Sequence, residues 1–167
     1  MENSEQNQFR PAWLTGAGYQ DTDFGRLLQG FSNYERESFL QLGREVEYPM
    51  HSLVVEEGLP ANNFFVILDG SVEIWSHDVQ VLYTILKRGA VFGELSFFSS
   101  SRVATVRTQS DSDCLVFDRE RVLDWFRRRE ERLFKLFVFN ITRIIIAKLR
   151  GANDRIRDLE TRLREGN

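Results

Sequence analysis

The feature that most constrains the fold is a series of short β-type runs between residues 46 and 118. Each run is rich in valine, isoleucine or phenylalanine, and glycine, asparagine, serine or aspartate separates it from the next. Because no helical periodicity separates the runs, they can pair only with one another. The pattern predicts a mainly β fold, an antiparallel sandwich or barrel. The runs are SLVVEEG, NFFVILDG, SVEIW, VLYTIL, AVFGE, ATVRT and DCLVF.

Helices are predicted on both sides of this β-region. Ser32 can cap a helix that follows it, and Glu35 can reach back to the N–H of the capping residue. Gly43 is placed to end that helix. Asp118 can cap a second helical region. From about Glu130 that region continues without proline almost to the end of the chain.

These patterns divide the chain into three segments. We predict a flexible N-terminal arm at 1–20, the β-region with its flanking helices at 21–128, and a long C-terminal helix at 129–167. Acidic residues outnumber basic ones up to Asp118, and basic residues outnumber acidic ones from Arg119 onward. Because charges of both signs alternate in the tail, the pattern favours a solvated helix over an arm that binds nucleic acid.

The C-terminal helix carries a repeating apolar stripe. Successive steps of four and three residues are typical of a coiled-coil seam. This spacing favours self-association into a homodimer through the helix, and the alternative is a helix folded back along the β-barrel. The seam residues are Ile145, Leu149, Ala152, Ile156, Leu159 and Leu163.

Composition excludes several classes of protein. No apolar stretch approaches the roughly 20 residues that a membrane-spanning helix needs, and the polar start MENSEQNQ is not a signal peptide. A single cysteine, Cys114, fits a cytoplasmic protein and a buried thiol. One cysteine and two histidines are too few for an ordinary zinc site, and no nucleophile–base pair is evident. We therefore expect neither an enzyme, nor a metal, nor a cofactor.

One stretch, FGELSFFSSSRVATV, places a single charge of each sign in an apolar neighbourhood. Gly93 allows close approach of a ligand to the backbone, and the residues after it can form one short helical turn. The guanidinium of Arg102 suits a phosphate, and the carboxylate of Glu94 suits the hydroxyls of a sugar. Together they describe a nucleotide site that lacks the carboxylates needed to hold a metal for phosphoryl transfer.

Residues 31–156 resemble a cyclic nucleotide-binding domain of the catabolite-activator and protein-kinase-A regulatory kind. The resemblance implies that the β-region is an antiparallel β-roll of the jelly-roll-like, double-stranded β-helix kind with flanking helices. The matching pattern is ordered along the chain and ends in a Glu-to-Arg cassette. The matching residues are Glu57-Gly58, Asn63-Phe64-Phe65-Val66-Ile67, Gly70-Ser71-Val72-Glu73-Ile74, Leu86, Gly89, Phe92-Gly93-Glu94-Leu95 and Arg102-Val103-Ala104-Thr105-Val106.

The resemblance implies a ligand-binding role for each of these cassette residues. Arg102 would pair with the exocyclic phosphate oxygen, and Glu94 would accept a hydrogen bond from the ribose 2′-hydroxyl. Backbone amides around Gly93 and the residues after Arg102 would complete the cradle, and Asn153 on the C-terminal helix would contact the base. The full implied set is Phe92, Gly93, Glu94, Leu95, Ser96, Arg102, Val103, Ala104 and Asn153.

Departures from the family pattern bear on the ligand. Val103 stands where cGMP-selective members often carry threonine, which puts cAMP ahead of cGMP. The seven residues from Leu95 to Ser101 are fewer than is common, and Ser101 replaces a common proline. Cyclic di-GMP remains a further candidate.

The resemblance implies a sensor rather than a catalyst. The chain ends before a helix-turn-helix domain could follow, so no DNA binding is expected of this chain alone. We expect ligand state to pass through the C-terminal helix to an effector protein. The alternative is a ligand-free dimerising adaptor of the same fold, in which Glu94 and Arg102 form a structural ion pair.

Overall fold

The computed structural model describes residues 19–76, 78 and 80–165, and these include eight strands and four α-helices. The strands are β1 (Arg44–Tyr48), β2 (Leu53–Val55), β3 (Asn63–Asp69), β4 (Ser71–Trp75), β5 (Leu82–Lys87), β6 (Val91–Phe92), β7 (Thr105–Thr108) and β8 (Ser112–Asp118). The helices are α1 (Asp23–Leu27), α2 (Asn33–Leu40), α3 (Arg119–Arg127) and α4 (Glu131–Glu165).

The strands form two four-stranded sheets in which every pairing is antiparallel. One sheet has the order β1-β8-β3-β6 and the other has the order β2-β7-β4-β5. Partners far apart in sequence, such as β1 with β8, lie side by side, as in a rolled sheet. The predicted fold class, a mainly β roll with flanking helices and a long C-terminal helix, is confirmed.

Strand β3 connects the two parts of the core. Its residues from Phe64 to Leu68 are all buried, although a strand turns alternate side chains to opposite faces. Phe64 and Val66 join the cluster beneath the helices, whereas Phe65 and Ile67 join the cluster between the sheets. Apolar cover on both faces explains why this strand is a continuous apolar run.

Aromatic rings fill the cluster beneath the helices. Phe64 stacks on Phe117 with ring centroids 4.7 Å apart, and Phe117 stacks on Phe39 of α2 at 5.3 Å. Cys114 lies in the second cluster, where burial raises the pKa of its thiol to about 12. The prediction of a buried thiol is confirmed.

The predicted helix caps are present. Ser32 and Glu35 form the reciprocal capping box at the start of α2, and Asp118 accepts a hydrogen bond from the Arg121 amide at the start of α3. The expectation for Gly43 was wrong, since α2 ends at Leu40 and Gly43 does not adopt a left-handed conformation. Gly43 is instead needed for close packing, because a Cβ there would lie 2.5 Å from the Leu115 side chain.

Helix α4 is continuous for 35 residues but is buried along only part of its length. Its docked half, residues 131–148, carries all the buried side chains, whereas every residue of its exposed half, 149–165, is exposed. No described helix is long and apolar enough to cross a bilayer. Most of the predicted N-terminal arm, residues 1–18, lies outside the described residues, while Tyr19 is buried against Phe24.

Candidate nucleotide-binding site

The site begins at a backbone turn that only glycine suits. Gly93 follows β6 with a φ of 73° and leads into a 3-10 turn, Glu94–Phe97. A Cβ at Gly93 would lie 2.9 Å from Nη1 of Arg102 and 3.0 Å from the carbonyl oxygen of Asn63. The short helical turn that the sequence predicts is therefore present, and glycine at its start leaves room for the Arg102 guanidinium.

Arg102 is a buried cation with few partners. Its side chain donates one hydrogen bond of 2.7 Å to the carbonyl oxygen of Asn63, and its guanidinium carbon lies 5.7 Å from the centre of the Phe65 ring. The residue is only 9% exposed, and this burial lowers the pKa of its guanidinium. Within the described part of the chain, no carboxylate lies within ion-pair distance of Arg102.

Glu94 has a partner other than the one considered from the sequence. Nζ of Lys148 in α4 donates hydrogen bonds to Oε1 of Glu94 at 2.7 Å and to the carbonyl oxygen of Val91 at 2.6 Å. The Glu94 side chain is 6% exposed and that of Lys148 is 33% exposed. The structural ion pair between Glu94 and Arg102 is therefore not formed.

Backbone hydrogen bonds hold the loop between the two charged residues. The amide of Arg102 donates to the carbonyl oxygen of Leu59, and the Arg102 carbonyl accepts from the Gly58 amide. The amide of Ala61 donates to the carbonyl oxygen of Ser100. These bonds fasten the shortened loop to the segment that precedes β3, which fixes the distance between Arg102 and Gly93.

The charged groups open into one cavity of about 400 Å³. That volume lies in the range of roughly 300–1,000 Å³ that is usual for small-molecule sites. Eight of the nine predicted ligand residues line it: Phe92, Gly93, Glu94, Leu95, Ser96, Arg102, Val103 and Ala104. The buried Ser96 hydroxyl has no hydrogen-bond partner among the described residues. The cavity therefore combines a cation with a hydrogen-bond acceptor, whereas the Ser96 hydroxyl is buried in the cavity wall.

Asn153 is the predicted residue that the structure does not bring to the cavity. Helix α4 instead turns Lys148, Gly151, Ala152 and Arg155 toward it, at spacings of three and four residues. Asn153 lies about 100° further round the helix than Ala152 and is exposed. Asn153 therefore does not line the cavity in this arrangement of α4, and its contact with a base stays a prediction.

Sequence reasoning missed the wall of the cavity opposite the cassette. Ile74, Leu86 and Val106 supply apolar surface from the sheet that contains β4. Arg155 of α4 donates hydrogen bonds to the carbonyl oxygen of Tyr83 and, at 3.4 Å, to the Thr84 hydroxyl. The period-two alternation of β4 could have indicated which of its side chains point inward. No local sequence pattern indicated that Lys148 or Arg155 lines the cavity. No group of three or more metal-ligand side chains occurs among the described residues.

Comparisons with known proteins agree with this geometry. A family model described as "Cyclic nucleotide-binding domain" matches residues 45–129. The chain is 31% identical to a cAMP-dependent protein kinase regulatory subunit of Aspergillus fumigatus over 86 residues, which is 51% of this chain and 21% of that protein. It is 28% identical to a CRP-like cAMP-activated global transcriptional regulator of Mycobacterium tuberculosis over 118 residues, 68% of this chain and 50% of that protein.

Solved structures share the fold. A cyclic nucleotide-binding domain from Methylobacillus flagellatus superposes with a TM-score of 0.73 at 20% identity, covering 81% of this chain and 80% of that one. The chain spans no more than half the length of the two curated relatives.

Proposed function

Because the chain belongs to the cyclic nucleotide-binding domain family, we propose that it is a cyclic-nucleotide sensor whose preferred ligand is cAMP. The observation that carries this proposal is the buried Arg102, which has no carboxylate partner within the described residues. A buried ion needs charge compensation, because its removal from water costs several kcal/mol by general estimates. A phosphate that enters the cavity supplies the missing negative charge.

The remaining groups fit the other parts of a nucleotide. Glu94 offers a carboxylate oxygen to the sugar. Ile74, Leu86 and Val106 form an apolar surface on which a purine can lie. The bound base would thus rest between the sheet and α4.

The choice of cAMP rests on two supports. Both curated relatives carry cAMP in their names, and Val103 replaces the threonine expected of cGMP-selective members. Cyclic di-GMP has two phosphates, whereas one arginine, Arg102, belongs to the cassette. We therefore rank cAMP first, with cGMP and cyclic di-GMP behind it.

The output of the sensor is proposed to pass through α4. This helix lines the cavity with Lys148 and, from its exposed half, with Arg155. The seam residues that follow, Ile156, Leu159 and Leu163, lie in solvent. A ligand that binds one position of α4 more tightly than another shifts the helix toward that position. The exposed half would then pair with a second copy of the chain or contact an effector protein.

Calorimetric titration with cAMP, cGMP and cyclic di-GMP tests the proposal. We expect cAMP to bind most tightly, and Arg102→Gln to weaken its binding by roughly 30-fold or more, as is usual when one partner of a buried charge pair is lost. Arg107→Gln is the matched control, because it removes the same charge from an exposed position of β7. No binding of any of the three nucleotides would reject the sensor.

Thermal denaturation separates the sensor from a ligand-free adaptor. A ligand present at 100 times its dissociation constant adds about 2.7 kcal/mol to the free energy of unfolding. The sensor predicts a rise in Tm with cAMP concentration, and the adaptor predicts none.

A further inference from the structure

We propose that Lys148 is a positioning residue for the sugar side of the site, acting as the counter-ion that orients Glu94 from helix α4. This inference rests on the proposed function and adds to it a residue outside the cassette. Lys148 contacts the acceptor carboxylate, so its proposed effect on binding passes through Glu94. The hydrogen bond between Lys148 and Glu94 joins α4 to a residue that lies 54 positions earlier in the chain.

The geometry fixes one oxygen of the carboxylate and leaves the other available. Lys148 donates to Oε1 of Glu94 and, through a second N–H, to the carbonyl oxygen of Val91, the first residue of β6. No described residue donates a hydrogen bond to Oε2 of Glu94. Lys148 therefore holds the carboxylate in one orientation, with Oε2 left to accept a hydrogen bond from a ligand hydroxyl.

Charge balance favours the presence of this lysine when a nucleotide is bound. Arg102 and Lys148 contribute two positive charges, Glu94 contributes one negative charge, and a cyclic phosphodiester brings one more. The four groups then sum to zero in a site where burial weakens screening by water. Without Lys148, the almost fully buried Glu94 would share the cavity with the phosphate and would lose the cation that it contacts, although Arg102 and the exposed Arg155 would remain on the cavity wall.

Placement of this counter-ion on α4 has a consequence for signalling. The ion pair forms only when α4 lies against the roll at Lys148. Ligand binding and docking of α4 therefore share one coupling free energy, and each strengthens the other by the same factor. The coupling passes through the sugar side of the ligand rather than through a base contact from Asn153.

The test compares cAMP with 2′-deoxy-cAMP, which lacks the hydroxyl that Glu94 would accept. Hydrogen bonds to charged groups are worth enough that the wild-type chain should prefer cAMP by roughly tenfold or more. In Lys148→Met, this preference should fall to about twofold, because Glu94 is no longer held toward the hydroxyl. Lys148→Gln should show the same loss and serves as the second variant. Lys135→Met is the control, because Lys135 is an exposed lysine of the same helix that pairs with Glu131.

The outcomes separate the inference from the proposed function. If Lys148 only fastens α4, both nucleotides weaken equally in the variants and the preference for cAMP stays, which overturns the inference. Tighter cAMP binding in the Lys148 variants overturns it too, since Lys148 would then compete with the ligand for Glu94. If the wild-type chain binds neither nucleotide, the proposed function fails and the inference fails with it.

Discussion

The two halves of α4 form one continuous helix and lie in opposite environments. The docked half, 131–148, is apolar over a wide arc and buries Phe137 and Ile141 in the aromatic cluster beneath the helices. The exposed half, 149–165, has a narrower apolar stripe, in which Leu159 is 59% exposed and Leu163 is 72% exposed. Both halves are helical without interruption.

The difference shows that an apolar period predicts a helix but not the surface that it covers. The docked half has α1 and the sheet that contains β3 as its partner, and polar groups complete that contact. The buried Asn140 side chain donates hydrogen bonds to the carbonyl oxygens of Leu27 and Gln29, at 3.1 and 2.9 Å, where α1 ends. The exposed half keeps its stripe available for a partner outside the described chain.

The largest difference in stability between the two halves of α4 is expected when a buried aromatic ring is removed from the docked half. Phe137→Ala should lower the free energy of unfolding by about 3–5 kcal/mol, because it removes a fully buried ring and leaves a cavity. Leu159→Ala should change it by less than about 0.5 kcal/mol in dilute solution. Urea denaturation at low protein concentration measures both. Equal losses of unfolding free energy in the two variants would contradict the division of α4 into a docked half and an exposed half.

A second pair of substitutions removes an asparagine side chain from each half of α4. Asn140→Ala should cost about 1–3 kcal/mol, because it leaves the carbonyl oxygens of Leu27 and Gln29 without their donor. Asn153→Ala should fall within about 0.5 kcal/mol of the wild type. The same denaturation experiment compares them, and a larger loss at Asn153 would place that residue in a contact that the structure does not contain.

Self-association tests the exposed half directly. We expect the chain to dimerise with rising concentration, and Leu159→Glu to weaken the dimer by roughly tenfold or more, since a charge in the seam must be desolvated. Thr161→Glu adds the same charge outside the seam and should have little effect. Sedimentation equilibrium measures the association constant, and a wild-type chain that stays monomeric would reject homodimerisation through the helix.

The smallest effects are expected from ion pairs. Glu35 pairs with Arg132 of the docked half at 2.7 Å, and Asp158 pairs with Arg162 in the exposed half at 2.8 Å. Although burial opposes the shift, hydrogen bonds from Ser32 and the charge of Arg132 hold the pKa of Glu35 below its usual value. Glu35→Gln should cost less than about 1 kcal/mol, and Asp158→Asn close to nothing.

The pH dependence of Glu35 has a definite sign. A carboxyl group whose pKa is lowered by folding stabilises the protein above its unfolded pKa, and this contribution disappears as the pH falls through the folded value. The difference between wild type and Glu35→Gln should therefore be largest near neutral pH and shrink in acid. Urea titrations at several pH values measure it, and a difference that grows in acid would contradict the assignment.

Local features of the chain were predictable where their physical causes are local. The capping of α2 by Ser32 and of α3 by Asp118 depends on residues three positions apart, and the structure confirms both. The turn after Gly93 likewise needs only the backbone freedom of one glycine. Gly43 was misassigned because its close neighbour, Leu115, lies 72 residues further along the chain.

The sequence by itself determined the mainly antiparallel β fold, the long helix and the cassette of Glu94 and Arg102, because periodicity, turn residues and close spacing are properties of short segments. Tertiary structure alone decided the charge partners and the helix face that lines the cavity. Glu94 pairs with Lys148 rather than Arg102, and Asn153 turns away, because the docked half sets the rotation of α4 against the roll. Contacts between distant segments depend on packing that no local pattern specifies.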